Sequence, residues 1–206
     1  MTDATAAHEV SRIGPRLREQ RELLGLSLRE LARRVGVSPS LISQIERDKV
    51  NPSVSTLNNI VRELGIGMGD LFSDGERTPL ARIGAGPLVA ADERAVIRLA
   101  SGVTWERLTP AADPRVEFLR VVYDVGSESC PEDSLMRHGG IEYGYVTGGR
   151  LGVQVGFERY DLGPGDAISF DSSSPHRLWT IGDEPAEAIW VVVGRQGDGR
   201  VARDVS

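Results

Sequence analysis

The sequence predicts two domains, an all-α unit of five helices followed by an all-β double-sheet barrel. Three observations carry that expectation. From residue 11 to 72, apolar residues recur at helical spacing between recognisable caps. From residue 94 the rhythm changes to short, partly alternating runs rich in Val, Ile and aromatics. Between them "SDGERTPLARIGAGPLVAADE" is rich in Gly, Pro, Ala and charge, the composition of a linker. The expected divisions are a disordered tail at 1–10, a helical domain at 11–72, a linker at 73–93, a β domain at 94–195 and a tail at 196–206.

Composition bounds the class. A chain of 206 residues with 40% hydrophobic and 26% charged residues has enough apolar surface to build a real core. No apolar run approaches the ~20 residues of a membrane helix. The opening MTDATAAHEVSR lacks the basic start and apolar block of a signal peptide. One cysteine, Cys130, cannot form an internal disulfide, which suits a reducing compartment. These features point to a cytoplasmic protein with no membrane partner. The net charge of −6 conceals an asymmetry, because residues 11–72 hold ten Arg or Lys against seven Asp or Glu. Only that segment has the balance a phosphate backbone attracts.

The helical elements follow in order. Ile13, Leu17 and Leu24 mark one face of the first. Leu28, Leu31, Ala32 and Val35 fall at i, i+3, i+4 and i+7 in the second. Ser27-Leu-Arg-Glu30 reads as a capping box. Gly36 permits the left-handed turn that ends this helix, and Ser38-Pro39 supplies a cap and a first-turn proline for the third. Leu57, Ile60, Val61 and Leu64 give a fourth, capped by Ser53 or Ser55, and Leu71-Phe72 closes the bundle. Helices two and three, joined by a short glycine turn, form a helix-turn-helix pattern.

The third helix, within "GVSPSLISQIERD", keeps Ile42 and Ile45 for burial and turns Ser40, Ser43, Gln44 and Arg47 the other way. Short polar side chains let a helix backbone approach base edges in the major groove. Serine and glutamine can bond to bases or phosphates, and glutamine can pair two-pronged with adenine. A merely solvated face is the alternative for any such stretch taken alone.

"LSLRELARRVGVSPSLISQIERDKVNPSVSTLNNIVRELGI" resembles the xenobiotic-response-element (XRE) family of helix-turn-helix domains, related to phage repressors. The resemblance spans roughly residues 11 to 72. It implies an ion pair between Arg21 and Glu46 that braces the bundle. It also implies that Pro39, Ser40, Ser43 and Gln44 face bases, while Arg29, Ser38, Arg47, Lys49 and Asn51 face phosphates.

In the second half, RAVIRLA, TWERLTP, VEFLRVVYDV, IEYGYV, RLGVQVGF, DAISF, HRLWTI and AEAIWVVV are separated by Gly, Pro or Asp, as in an all-β sandwich or barrel. Three histidines occur; His8 lies in the tail, His138 precedes IEYGYV, and His176 heads HRLWTI. With Glu142 the latter two make a potential two-histidine, one-carboxylate set suited to Zn, Fe, Mn or Ni, with coordination positions left open. Spacing alone favours histidines packed or hydrogen-bonded without metal, the usual state of lone histidines at strand ends.

"MRHGGIEYGYVTGG" followed by "LGPGDAISFDSSSPHRLWT" resembles the two motifs of the cupin superfamily, a small double-sheet jelly roll. His138, Glu142, Gly149, Gly165 and His176 fit those motifs. Met136 stands where the family's first histidine is usual, and Asp171, Ser173 and Thr180 replace its Pro, Gly and Asn. The resemblance implies one pocket lined by Met136, His138, Glu142, His176 and Thr180. A thioether is a soft replacement for imidazole, so three ligands rather than four would hold a metal. The combined resemblance is to regulators that read an operator in double-stranded DNA and sense a small-molecule effector without turnover; the spacing of successive major grooves and the exposed strand edges of such barrels add the expectation of a homodimer. The competing expectation is a cupin metalloenzyme, of dioxygenase or isomerase type, with an accessory DNA-binding domain.

Overall fold

The computed structural model describes residues 11–72 and 86–195. The expected tails, His8 and residues 73–85 of the expected linker lie outside the described residues.

The helical half comprises α1 (Ile13–Leu23), α2 (Leu28–Val35), α3 (Pro39–Ile45) and α4 (Val54–Leu64). Each later helix starts at a serine hydroxyl. Ser27, Ser38 and Ser53 accept from the backbone N–H of Glu30, Leu41 and Thr56 respectively, so Ser53 rather than Ser55 caps α4. Gly36 sits at φ 80°, the left-handed geometry that turns α2 into α3. The carboxylate of Glu30 pairs with Arg33 (2.8 Å) and Arg34 (2.9 Å), in a ladder along the helix surface.

The expected fifth helix is a single 3₁₀ turn, Met68–Phe72. Gly67 and Gly69 weaken any longer helix there, and Asp70 Oδ2 accepts from the Gly67 N–H at 3.0 Å to fix the turn. Leu71 and Phe72 are nevertheless buried and close the core as expected, joined by Met68. On α1 the buried row is Ile13, Leu17 and Arg21, whereas Leu24 lies past the helix end and is 53% exposed. Four-residue spacing thus carries the stripe to an arginine instead of a leucine.

The β half contains β1 (Val96–Arg98), β2 (Val103–Arg107), β3 (Val116–Tyr123), β4 (Ile141–Gly148), β5 (Leu151–Val155), β6 (Glu158–Leu162), β7 (Ala167–Asp171), β8 (His176–Thr180) and β9 (Ala186–Val193). Six strands pair in the order β1-β2-β3-β9-β4-β7, and three in the order β6-β5-β8. All named pairings are antiparallel. No ladder joins the edges β1 and β7 to the edges β6 and β8. The expected closed barrel is therefore two open sheets, with the apolar faces turned inward. Alternation sets those faces, as on β4, where Glu142, Gly144 and Val146 point in and Ile141, Tyr143 and Tyr145 point out.

The halves touch. Ser11 N–H donates to Val96 O at 2.8 Å, and Ala100 N–H donates to Pro52 O at 3.0 Å. The Arg107 guanidinium lies over the Phe72 ring at 5.9 Å. No described helix is long and apolar enough to cross a membrane.

Candidate functional site

Two surfaces carry chemistry. The first is the outer side of α3. Arg21 donates to both carboxylate oxygens of Glu46, at 2.6 and 2.9 Å, and also to Leu26 O at 2.8 Å. Both side chains are buried, so the pair ties α1 to the end of α3 and turns Glu46 inward. Its hydrogen bond to Glu46 is the main reason the Arg21 pKa is raised. With Ile42 and Ile45 buried below, Pro39, Ser40, Arg47, Lys49 and Asn51 are exposed, and Ser43 and Gln44 half-exposed. Gln44 Nε2 reaches back to Ser40 Oγ at 3.3 Å. Arg29, Ser43 and Arg47 border one open groove with Arg18 and Ser27. Ser38 is exposed, but its hydroxyl already serves as the α3 cap.

The second surface is a cavity of about 40 Å³ between the sheets. Strand β4 brings Glu142 to it, the start of β8 brings His176, and the segment before β4 brings His138. Their ligand atoms lie within 4.8 Å of one another, and they are the one such group among the described residues. Glu142 Oε1 is 2.9 Å from His138 Nε2 and 3.3 Å from His176 Nε2. The other ring nitrogens face backbone carbonyls, His138 Nδ1 at 3.0 Å from Gly139 O and His176 Nδ1 at 2.9 Å from Ser174 O. Those carbonyls select the Nδ1–H tautomer and leave both Nε2 lone pairs turned to the carboxylate.

Three acceptors converging without a donor is a costly arrangement in a buried site. Glu142 Oε1 and His176 Nε2 indeed have no hydrogen-bond partner. Neighbouring ligand atoms on one ion with bonds of ~2.1 Å sit ~3.0–3.4 Å apart; the two spacings to Glu142 are close to that, while the whole set spans up to 4.8 Å. Two imidazoles and a carboxylate, with buried acceptors left unpartnered, are a donor set that could hold a divalent metal. Burial pushes the His176 pKa down, which favours its neutral, ligating form. In the metal-free cluster burial opposes ionisation of Glu142, but a His138 that has taken up a proton at Nε2 donates to it and, with the adjoining imidazoles, outweighs burial and keeps the carboxyl well below its usual range.

Met136 also lines the cavity, and its backbone exchanges hydrogen bonds of 3.0 and 2.9 Å with His176. Thr180 does not line it. Four residues beyond His176 is ~13 Å along a strand, and the Thr180 hydroxyl donates to Asp124 O at 2.6 Å. Sequence reasoning missed other members. Trp190 donates from Nε1 to Glu142 Oε2 at 2.6 Å, and its ring fits against β4 because residue 144 is glycine, where a Cβ would lie 2.1 Å from it. Tyr123, Trp105 and Arg195 line the cavity, as do Val54 and Asn58 of α4. Of these, Asn58 left a trace: a polar residue next to Leu57 on an otherwise apolar helix face.

A helix-turn-helix domain whose third helix shows a small polar outer face, joined to a two-sheet domain with an internal His/Glu cluster, defines a class. Residues 17–71 match the helix-turn-helix family model and residues 119–192 match that of the cupin domain. The chain belongs to the XRE-type helix-turn-helix transcriptional regulators that carry a C-terminal cupin domain. It is 28% identical to the HTH-type transcriptional regulator PuuR of Escherichia coli over 79% of this chain and 84% of that relative. It is 38% identical to an uncharacterized transcriptional regulator in the ATPase CF(0) region of Rhodospirillum rubrum, over 37% of this chain and 71% of that one. An HTH_3 family transcriptional regulator from Vibrio cholerae shares the fold, with a TM-score of 0.62 and 24% identity over 89% of this chain and 95% of that structure.

Proposed function

We propose that this transcriptional regulator is sequence-specific and effector-controlled. Its cupin cavity binds a small molecule on a divalent metal (Zn, Fe, Mn or Ni) held by His138, Glu142 and His176. Occupancy then biases the grip of the helix-turn-helix domain on duplex DNA. The observation that carries this reading is a shared wall: Val54 and Asn58, on α4 of the DNA-binding half, line the cavity of the cupin half. A ligand there touches both halves, so it can differ in affinity between two arrangements of them, as regulation requires.

On DNA, α3 enters the major groove with Pro39, Ser40, Ser43 and Gln44 toward bases, while Arg29, Ser38, Arg47, Lys49 and Asn51 meet phosphates. Two copies bind half-sites about 34 Å apart on a cytoplasmic operator. The homodimer is supported by the outer face of the six-stranded sheet, where Phe118, Ile141, Tyr143, Tyr145 and Val193 are each more than a third exposed. The cupin domain binds without turnover, since Met136 removes one of the family's imidazoles from the centre.

Competition binding of the full-length protein to selected and random duplexes tests the DNA reading. Gln44→Ala is expected to cost ~1–3 kcal/mol of preference for the selected duplex with little effect on random DNA. Arg47→Ala should weaken both and lower the salt slope by about one. A protein with no preference for any duplex would overturn the reading. For the cavity, His176→Ala should lose bound metal in elemental analysis and keep duplex binding; turnover of organic substrates with added Fe(II) or Mn(II) would make it an enzyme instead.

A further inference from the structure

We propose that the ligand of this cavity is a small carboxylate, seated between the His138–Glu142–His176 centre and Arg195, and that α4 detects it through Asn58. The inference rests on the regulator reading above and gives it a ligand class and a route of communication.

Arg195 follows the last strand, and its backbone is firmly held. Gly194 N–H donates to Arg115 O at 3.0 Å. Gly140, at φ 103°, lets the chain pass so close that a Cβ there would lie 2.5 Å from Val193 O and 3.0 Å from Arg195 N. The guanidinium so placed lines the cavity with its side chain only 18% exposed. Among the described residues it makes one hydrogen bond, from Nη1 to Asn58 Oδ1 at 3.2 Å. Its Nε lies 3.0 Å from Glu117 Oε2, yet neither atom completes an aligned hydrogen bond. A guanidinium has five donors in a rigid fork matched to carboxylates. This one is largely unused.

Charge selects the ligand. The charged groups at the cavity are Glu142 and Arg195, with Glu117 behind Arg195. Adding a divalent ion leaves one excess positive charge even with both glutamates ionised. The remaining lining is mostly apolar, including Trp105, Leu119, Val121, Trp190 and Val192. An uncompensated charge in such a lining is unfavourable, and a monoanion removes it. Size narrows the choice further. A cavity of about 40 Å³ has room for about three water-sized groups, so the acid is a small one.

Asn58 makes the site a sensor. It is the one polar α4 side chain bonded to Arg195, and it is itself buried. A carboxylate that takes the guanidinium donors competes with Asn58 Oδ1. Binding is thereby exchanged for a contact between the two halves.

The test uses full-length, metal-loaded protein, with pyruvate and butyrate as probes and butyramide and butylamine as matched controls. Trp105 and Trp190 line the cavity, so tryptophan emission reports occupancy. The carboxylates should change it saturably and bind at least about tenfold tighter than the amide or amine. Arg195→Gln should weaken them about tenfold at unchanged metal content, and Arg195→Lys should restore part of the loss. Asn58→Leu, which removes the competitor for Arg195, should tighten the carboxylate binding read by emission while abolishing the effect of the carboxylate on duplex affinity. Preference for the amine, equal binding in metal-free protein, or indifference to Arg195→Gln would each overturn the carboxylate assignment while leaving the regulator reading intact. An unaltered duplex response in Asn58→Leu would overturn the α4 route. Loss of duplex selectivity under every condition would instead remove the regulator reading.

Discussion

The Trp190 indole N–H donates to Glu142 Oε2 at 2.6 Å, leaving Oε1 to face both imidazoles. One donor thus fixes which carboxylate oxygen is offered to the centre. Partners of this kind commonly change metal affinity by about 10–100-fold when removed. Trp190→Phe keeps an aromatic ring against Gly144 but deletes the donor. Its metal affinity, measured by chelator competition, should fall within that range with the fold retained. Undiminished affinity would leave Trp190 with packing alone.

The Arg21–Glu46 pair predicts a stability effect confined to the helical half. Glu46→Ala strands a buried guanidinium, a change that costs about 3–5 kcal/mol in comparable sites. Urea unfolding followed by helical circular dichroism should show it. The double replacement Arg21→Met with Glu46→Leu removes both charges and should recover most of the loss, because no buried charge is then left alone. If the single and double variants are equally weak, the pair acts through shape rather than charge.

How legible was this in the sequence? Caps and periodicity identified α2, α3 and α4 because each boundary depends on neighbouring residues: a serine hydroxyl, a proline, a left-handed glycine. Strands with one buried face were equally visible. Strand β6, "ERYDL", was not, because its first four residues are exposed and its only warrant is pairing, Val155 with Glu158 through Leu151 with Leu162. The centre was legible as far as the motif reached, at His138, Glu142 and His176. Thr180 was misplaced because a motif position fixes sequence order and not distance along a strand. Arg195 and Asn58 lie in opposite halves of the chain, and no local pattern links them. Only the docking of α4 on the cavity brings them to 3.2 Å.

Acid should weaken the metal-free protein by a route the cluster defines. Burial lowers the His176 pKa from 6.5, so the unfolded chain takes up that proton more readily than the folded one. The stability associated with neutral His176 is therefore present above 6.5 and lost as pH falls below it. The lowered Glu142 pKa adds stability above 4.5 that is lost as pH drops from there toward the folded value. Urea midpoints of chelator-treated protein should decline across both ranges, and His176→Gln should flatten the upper one. A midpoint independent of pH across the upper range would contradict the assignment of a buried neutral imidazole.

Met136 offers the sharpest test of the centre's direction. Its backbone pairs with His176 in both directions and its side chain lines the cavity, so the position already borders the three ligands. A thioether has little affinity for the harder divalent ions, whereas imidazole suits Zn, Fe, Mn and Ni alike. Met136→His places a fourth ligand of the right type on the same strand-like segment, where a half-buried side chain tolerates the change. Metal binding should tighten by at least about tenfold, since one more imidazole replaces water on the ion. The same substitution fills a position otherwise open to a small ligand, so the emission response to added carboxylate should weaken in parallel. Tighter metal with weaker ligand is the expected pairing. Metal affinity equal to that of the parent protein would mean that residue 136 borders the cavity without facing the ion.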